Sequence, residues 1–235
     1  MNLSTEYENL INSLIKDGYL KTPEIIEAFK AIDRKDFVPE EQKKEAYVNA
    51  PLPIGFGQTI SQPLTVAFML ELLEPKQGEK ILDIGAGSGW VSALLAYIVS
   101  RTNTDYTRTD TDNIPRESAS SPHKSVLVVA MERIPELKEM AEKNISKYGF
   151  IENGIVEMVL GDGSKGYKKE ADYDKIIAAA SAQNELPKEW QKQLKIGGRI
   201  VAPLGDSIVV IDKISKIKYN VKEHFGFSFV PLISS

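Results

Sequence analysis

Two short stretches hold the residues best suited to chemistry. GQTISQP at 57–63 places a threonine and a serine between a glycine and a proline, and a proline at this point is typical of a helix start. LDIGAGSGW at 82–90 follows an apolar run and precedes a helical pattern, so its glycines occupy a strand-to-helix turn. Glycines in such a turn let a ligand approach the backbone closely. The question is which ligand this turn receives, and what Thr59 and Ser61 do beside it.

The spacing of the glycines disfavours the two common phosphate-binding loops. Gly85, Gly87 and Gly89 form G-x-G-x-G, whereas a dinucleotide loop needs a small residue at position 90, which is Trp90. No Gly-Lys-Ser/Thr sequence follows, as a P-loop requires. Asp83 would repel a pyrophosphate and attract a cation. S-adenosylmethionine, a nucleoside with a sulfonium and an ammonium group, fits that charge. Alternatively Asp83 caps the loop by accepting backbone N–H bonds, and both roles can hold.

A nucleoside also needs an acceptor for its ribose hydroxyls, about 20 residues beyond the glycine loop. Glu132 lies 47 residues after Gly85, but only 22 once the segment 101–125 is discounted. This spacing supports both the assignment of 101–125 as an insertion and that of Glu132 to the ribose. The alternative for Glu132 is a cap for the helix that follows. Asp162 is expected to accept from the adenine amino group while Gly163 allows the turn, although Asp-Gly is also a frequent turn signal.

Around these stretches, apolar runs alternate with helical patterns, which predicts the α/β class with a mostly parallel sheet. The predicted strands cover 80–84, 126–131, 155–160, 173–180, 199–203, 207–214 and 225–232. The predicted helices that follow residue 60 cover 63–73, 89–99, 135–149 and 187–194, and glycines 197 and 198 end the last of them. We therefore expect a seven-stranded, Rossmann-like sheet with helices on both faces, in one domain spanning 1–235.

The first fifty residues are predicted to form helices added before the sheet. A capping box of Thr5 and Glu8 opens the first helix, and Thr22 before a proline opens the second. The segment 101–125 interrupts the later alternation with Thr, Ser, Asp, Arg and Pro and has almost nothing to bury. We expect it to be a flexible surface insertion. The alternative is a lid or a partner-binding loop.

Composition limits the possible functions. There is no cysteine, which excludes disulfides and thiolate catalysis, and with only His123 and His224 a metal site is not expected. The net charge of −4 gives no electrostatic footprint for nucleic acid. No apolar run is as long as a membrane span, and the first residues lack the features of a signal peptide. We expect a cytoplasmic monomer that binds neither nucleic acid nor membrane.

Several motifs resemble those of the protein-L-isoaspartate (D-aspartate) O-methyltransferase family, over roughly 22–232. GQTISQP and ERIPEL (132–137) are the most specific, whereas the glycine loop is shared with many methyltransferases. The other matching stretches are RKDFVP (34–39), AYVNAPLPIGFGQTISQP (46–63), GDGSKG (161–166), LPKEWQKQLKIGGRIVAPLG (186–205) and FVPL (229–232). Three features depart from the family: Trp90 where tyrosine is usual, the polar run 178–187, and the insertion 101–125.

The resemblance implies a methyltransferase fold and transfer of a methyl group from S-adenosylmethionine to the α-carboxylate of L-isoaspartyl residues in damaged proteins. Ser61 is the expected catalytic residue, donating its hydroxyl to that carboxylate; alternatively it only caps the next helix. The expected cofactor-binding residues are Thr59, Ile60, Asp83, Gly85, Ala86, Gly87, Gly89, Glu132, Arg133, Asp162 and Gly163. The expected substrate-binding residues are Ile54, Gly55, Gln58, Val230 and Leu232, in a strand-addition mode that uses backbone hydrogen bonds.

Three other functions would use some of the same residues. The first is a methyltransferase that uses the same cofactor on another substrate. The second is a hydrolase that uses Ser61 and His224, but Ser61, Ser88 and Ser164 all lack glycines at both −2 and +2, as a G-x-S-x-G elbow requires. The third is a protein that senses the cofactor without catalysis.

Overall fold

The computed structural model describes residues 4–101 and 126–233. Apart from Arg101, the predicted insertion at 101–125 therefore lies outside the described residues. The helices are α1 (Thr5–Lys16), α2 (Pro23–Ala31), α3 (Pro63–Leu73), α4 (Trp90–Ser100), α5 (Pro135–Ser146) and α6 (Lys188–Gln193). The strands are β1 (Leu52–Gly55), β2 (Gln58–Ile60), β3 (Ile81–Ile84), β4 (Val128–Glu132), β5 (Val156–Leu160), β6 (Tyr173–Ala178), β7 (Leu194–Leu204), β8 (Ser207–Lys213) and β9 (Tyr219–Phe225).

Seven of these strands form one sheet in the order β5-β4-β3-β6-β7-β8-β9. The strands β3 to β7 pair in parallel, and β8 is antiparallel to both of its neighbours. The α/β class and the mostly parallel seven-stranded sheet are confirmed. The order reverses at β3, between β4 and β6, and open α/β sheets bind ligands beyond the carboxyl ends of the strands at such a point.

Two apolar layers cover the sheet, because successive side chains of a strand point to opposite faces. Ile81 of β3 lies in one layer and Leu82 in the other. The first layer contains side chains of α1 to α5, whereas the second is built around Trp190 of α6. The predicted helices on both faces are therefore confirmed, with an uneven distribution of five on one face and one on the other.

The two N-terminal helices are confirmed, but their caps differ from the prediction. Ser4, not Thr5, caps α1, and its hydroxyl accepts from the Tyr7 N–H at 3.3 Å. The Thr22 side chain makes no capping bond to its own helix; its Oγ1 donates to Glu71 Oε2 at 2.7 Å. Helix α2 packs against α4, so this extension supports the helix that follows the glycine loop.

The stretch before the glycine loop contains a small β-hairpin, where no strand was predicted from the sequence. Strands β1 and β2 are antiparallel, with Leu52 opposite Ile60 and Gly55 opposite Gln58. Pro63 begins α3 directly after the hairpin, as predicted. Thr59 thus lies in the second strand of the hairpin, and Ser61 lies between that strand and the start of α3.

The C-terminal third corrects two boundaries. The last strand is β9 at Tyr219–Phe225, not 225–232, because Gly226 has a φ of 96° and the backbone leaves the sheet there. Helix α6 ends at Gln193, and glycines 197 and 198 lie within β7 rather than ending a helix. A Cβ on Gly198 would lie 2.8 Å from the Asp174 carbonyl oxygen, so glycine is required for close strand pairing. Among the helices of the described ranges, none is long and apolar enough to cross a membrane.

Candidate active site

A cleft of about 390 Å³ opens at the carboxyl ends of four parallel strands. Its floor comes from the residues that end or follow β3, β4, β5 and β6, and the hairpin and the C-terminal segment form its walls. The cleft is lined by twelve predicted site residues: Gln58, Thr59, Ile60, Ser61, Gly85, Ala86, Gly87, Glu132, Arg133, Gly163, Val230 and Leu232. The fold therefore brings together most of the residues selected from the sequence.

The glycine loop turns tightly between β3 and α4. Gly85 and Gly87 have φ values of 81° and 56°, in the left-handed region that favours glycine. The N–H groups of Gly85 and Ala86 both donate to the Met131 carbonyl oxygen at 2.9 Å, which ties the loop to the end of β4. Gly89 does not line the cleft: a Cβ there would lie 2.9 Å from Ile145 Cδ1, so this glycine allows α4 to approach α5. Its predicted cofactor contact stays a prediction.

Glu132 ends β4 with only 6% of its surface exposed, and backbone groups fix its carboxylate. Oε2 accepts from the Gly87 N–H at 2.9 Å, and Oε1 accepts from the N–H groups of Arg133 and Ile134 at 2.7 and 2.9 Å. Each carboxylate oxygen accepts about two hydrogen bonds, so Oε2 keeps an acceptor position for a ligand hydroxyl. Ile134 is the N-cap residue of α5. The carboxylate therefore helps to cap that helix and still presents an acceptor beside the glycine loop.

Asp83 lies beneath the loop rather than in the cleft wall. It is 1% exposed, and its Oδ2 accepts from the Ser92 hydroxyl at 2.6 Å. Burial raises the pKa of Asp83 from 3.8 to about 6; the Ser92 hydrogen bond opposes this rise and the nearby Glu132 adds to it. Asp83 was alternatively expected to cap the loop by accepting its backbone N–H groups. Its hydrogen bond to the Ser92 hydroxyl does not support that alternative. When ionised, the Asp83 carboxylate can attract a cationic ligand in the cleft through its electrostatic field.

Asp162 follows β5 and is turned toward its own loop. Its Oδ1 accepts from the N–H and the hydroxyl of Ser164 at 3.0 and 2.7 Å, and Lys165 Nζ lies 3.3 Å from Oδ2. Gly161 and Gly163 line the cleft, and a Cβ on Gly163 would lie 2.5 Å from Ile84 Cγ2. The lack of a Cβ at Gly163 therefore lets this turn approach Ile84 closely, whereas the contact of Asp162 with adenine stays a prediction.

A fully buried arginine holds the segment that carries Ser61. Arg34 is 0% exposed, and its Nη2 donates to the carbonyl oxygens of Ser61 and Ala50 at 3.1 and 3.0 Å. Its Nη1 donates to the carbonyl oxygens of Ala46 and Val48 at 2.6 and 3.3 Å. Burial lowers the pKa of Arg34 from 12.5 to about 10, so the group stays charged at neutral pH. Arg34 thus clamps two chain segments beside the cleft.

The aromatic wall of the cleft is Trp90, which rests on the same arginine. The Arg34 guanidinium carbon lies 5.4 Å from the Trp90 ring centroid, and Phe29 meets the indole edge-on at 5.5 Å. Trp90 is 2% exposed and lines the cleft. The exchange of the family's usual tyrosine for Trp90 therefore keeps an aromatic ring at the cleft, as expected.

The C-terminal segment 228–233 forms a further part of the cleft wall. The Ser181 N–H donates to the Val230 carbonyl oxygen and the Leu232 N–H donates to the Ser181 carbonyl oxygen, both at 2.8 Å. These bonds occupy the edge on which the backbone groups of Val230 and Leu232 lie. An extended residue directs its backbone N–H and C=O to one side of the strand. The backbone groups of Phe229 and the carbonyl of Pro231 therefore point to the opposite edge. A peptide that adds to this segment must use that second edge.

Two predicted substrate-binding residues of the hairpin do not line the cleft. Ile54 is 1% exposed, and its Cδ1 would lie 3.3 Å from a Cβ on Gly87, so it packs the hairpin onto the glycine loop. A contact between Ile54 and substrate would have to use its backbone. Gly55 is exposed with a φ of 93°, and a Cβ there would meet nothing within 4 Å. Both assignments stay predictions.

The sequence analysis gave no role to several residues of the site. Arg34 lies in the RKDFVP motif, which was part of the resemblance, but its contact with Ser61 joins residues 27 positions apart. Ala179 and Ala180 line the cleft after β6, in the run where the chain departs from its family. Position at the carboxyl end of a parallel strand was the signal that could have found these two.

Comparisons with known proteins agree on one family. The family model described as protein-L-isoaspartate(D-aspartate) O-methyltransferase matches residues 5–235. A protein-L-isoaspartate O-methyltransferase of Staphylothermus marinus is 38% identical over 97% of this chain and 94% of its own length. One of Ignicoccus hospitalis is 40% identical over 95% of each chain.

The fold also has a solved counterpart. The crystal structure of a Plasmodium falciparum protein described as a putative protein-L-isoaspartate O-methyltransferase, in complex with S-adenosyl-L-homocysteine, superposes with a TM-score of 0.78. The superposition covers 99% of this chain and 100% of that one, at 20% identity. At this identity the likeness bears on the fold alone.

Proposed function

The chain belongs to the protein-L-isoaspartate (D-aspartate) O-methyltransferase family, and we propose that it methylates the α-carboxylate of L-isoaspartyl residues in damaged proteins and peptides, with S-adenosylmethionine as donor. The observation that carries the proposal is one cleft in which the hydroxyl-bearing hairpin faces the glycine loop and Glu132.

The residues of the cleft fit this cofactor. The open acceptor position on Glu132 Oε2 suits a ribose hydroxyl, and the glycine loop lets the nucleoside lie against the backbone. The buried carboxylate of Asp83 favours a cationic ligand above it. When bound, S-adenosylmethionine supplies an electrophilic methyl group on its sulfonium sulfur. Thr59 and Ile60 would hold the methionine end, and Asp162 and Gly163 the adenine end.

Ser61 is proposed to orient the substrate. Its hydroxyl donates a hydrogen bond to one carboxylate oxygen, which directs the other oxygen toward the methyl. A carboxylate is already ionised at pH 7, so the site needs no general base. Arg34 holds the Ser61 carbonyl and thereby fixes the backbone from which the hydroxyl projects. Such orientation can supply roughly 7–11 kcal/mol of rate enhancement in favourable cases.

The walls of the cleft exclude water and select the backbone of the substrate. The hairpin and 228–233 both line the cleft, and we place the substrate between them. We place the peptide along the second edge of 228–233, the one that Phe229 and Pro231 present, with Gln58 lining the same cleft. An isoaspartyl residue carries one extra backbone methylene and a free α-carboxylate. A normal aspartyl residue in the same slot would hold its carboxylate too far from the methyl.

We further propose where the chain acts and with which partners. The chain acts as a cytoplasmic monomer on isoaspartyl peptides and proteins, without nucleic acid or membrane as a partner. The net charge of −4 supports the absence of nucleic acid as a partner, because it offers no general attraction to polyanions. The product ester then cyclises to a succinimide without the enzyme, because the next backbone amide nitrogen attacks the ester carbonyl and expels methanol, whereas a carboxylate has no comparable leaving group.

Replacing Ser61 by alanine tests the assignment. We expect Ser61→Ala to bind S-adenosylhomocysteine as tightly as the parent protein and to lose turnover on the order of 10²-fold, because one positioned donor is removed. Calorimetry and steady-state methylation of an isoaspartyl peptide give the two numbers. Ser13→Ala, on the exposed face of α1, is the matched control. Unchanged turnover in Ser61→Ala would remove Ser61 from its role.

A further inference from the structure

An exposed aromatic residue stands at the tip of the hairpin that walls the cleft. Phe56 is 55% exposed and belongs to neither apolar layer of the fold. It is the first of two turn residues between Gly55 and Gln58, and both turn residues have positive φ, 53° for Phe56 and 70° for Gly57. These signs identify a type I′ turn, for which Asn-Gly is the preferred sequence.

Phenylalanine breaks two local rules at this position. Its Cβ is strained in the left-handed region, where asparagine is tolerated. Its ring is also left largely in water, where it does not stabilise the core. The other non-glycine residue with positive φ in the described part of the chain is Glu74, a polar residue at the C-cap of α3, where this conformation is common. Strained backbone conformations of the kind found at Phe56 cluster at functional sites.

The hairpin places Phe56 near the cleft but outside it. Strand β2 runs from the turn directly into the cleft wall, through Thr59 and Ile60 to Ser61. Phe56 and Ser61 are five positions apart, so at about 3.4 Å per residue their Cα atoms are at most about 17 Å apart. A polypeptide with its carboxylate at Ser61 crosses that distance in about five extended residues.

We propose that Phe56 is a docking residue for the polypeptide substrate. Its ring packs against an apolar side chain of the substrate about five residues from the isoaspartyl position. This inference rests on the proposed function and deepens it, because it assigns a contact that a short peptide cannot reach. The enzyme then favours long damaged chains over short peptides through affinity, while the orientation of the carboxylate at Ser61 is the same for both.

Phe56→Asn separates this role from a structural one. The variant creates the preferred Asn-Gly turn and relieves the strained backbone, so we expect its Tm to rise by about 2–4 °C. A residue kept for stability would give the opposite sign. Phe56→Trp retains an aromatic ring and is expected to retain affinity. Ile217→Asn, which removes a 93% exposed apolar side chain after β8, is the matched control and should change neither affinity nor turnover.

The measurement compares an isoaspartyl pentapeptide with two peptides that extend it by eight residues, one on each side, and that include apolar residues. For Phe56→Asn we expect KM for at least one long peptide to rise about tenfold, with kcat within about twofold. KM for the pentapeptide should stay as in the parent protein. Fluorescence anisotropy of the labelled long peptide, with S-adenosylhomocysteine bound, should show the same tenfold loss of affinity without turnover.

Three results would overturn the inference: a lower Tm in Phe56→Asn, an equal loss on short and long peptides, or unchanged affinity for both long peptides. The proposed function is tested separately by the parent protein on the pentapeptide. Methylation of that peptide depends on Ser61 and the cofactor site, whereas the ratio between long and short peptides reports on Phe56.

Discussion

Replacing Asp83 by asparagine is expected to stabilise the ligand-free protein and to weaken cofactor binding. Asp83 is buried beneath the glycine loop, and burial raises the pKa of its carboxyl from 3.8 to about 6. A buried charge of this kind costs folding free energy, since the unfolded chain ionises the same group in water. The cost is tolerated if the charge serves a cationic ligand, and the cleft above it is where we place one.

The magnitude and its pH dependence follow from the two pKa values. Between pH 3.8 and 6 the folded protein holds a proton that the unfolded chain has released, so stability falls as the pH rises through this window. Above pH 6 the ionised group costs about 3 kcal/mol, from roughly two pKa units at 1.36 kcal/mol each. Asparagine is neutral, and its Oδ1 can accept from the Ser92 hydroxyl. We therefore expect Asp83→Asn to raise the Tm at pH 8 by at most about 6–12 °C.

Thermal unfolding between pH 4 and pH 8 and calorimetry with both cofactor forms check this expectation. The Tm gain should shrink toward zero as the pH falls below 4. Affinity should fall by about tenfold or more, and further for S-adenosylmethionine than for S-adenosylhomocysteine, because only the former carries a sulfonium. Asp206→Asn, at an exposed position, is the control and should change neither quantity. Refutation would be a loss of stability at pH 8, or an affinity that the substitution leaves intact.

Two further substitutions test the supports of the site. Arg34→Met removes the Arg34 donor from four backbone carbonyl oxygens, of which the Val48 oxygen still accepts from the Ala50 N–H at 2.8 Å, so three lose their donor. The substitution should cost about 3–5 kcal/mol of unfolding free energy in urea titrations, and Arg34→Lys should recover part of it through its three N–H donors. A Met variant as stable as the parent would contradict the clamp. Glu132→Gln turns an N–H₂ group toward backbone N–H donors. Calorimetry should therefore show an affinity for S-adenosylhomocysteine that is lower by about 10- to 100-fold. An unchanged affinity would refute the assignment of Glu132 to the ribose.

The parallel part of the fold was predictable because its central strands β3, β4 and β6 are buried on both faces along almost their whole length. Short apolar runs such as 80–84 next to a glycine turn leave few alternatives, and β3, β4, β5 and β6 all lie where the sequence placed them. The last strand was misplaced because β9 is an edge strand whose residues are mostly exposed, so it lacks an apolar pattern. The stretch 225–232 has alternating phenylalanines, which mimic a strand although Gly226 turns the backbone away.

The residues that line the site were predictable where position along a strand determines exposure. Glu132 ends a parallel strand, so its spacing from the glycine loop placed it at the cleft, whereas Ser61 was placed there by the family resemblance. Arg34 could not, because its role depends on four carbonyl oxygens that only the tertiary fold collects. Asp83 was expected to face the ligand, whereas the pleat of β3 turns its side chain beneath the loop toward Ser92.

Methyl transfer to paired peptides tests the central claim most directly. Two peptides of one sequence, one with L-isoaspartate and one with L-aspartate at the same position, are incubated with the protein and S-adenosylmethionine labelled in its methyl group. We expect base-labile methyl ester on the isoaspartyl peptide and none above background on its aspartyl twin. Equal labelling of the two peptides, or labelling of neither by protein that binds the cofactor, would contradict it.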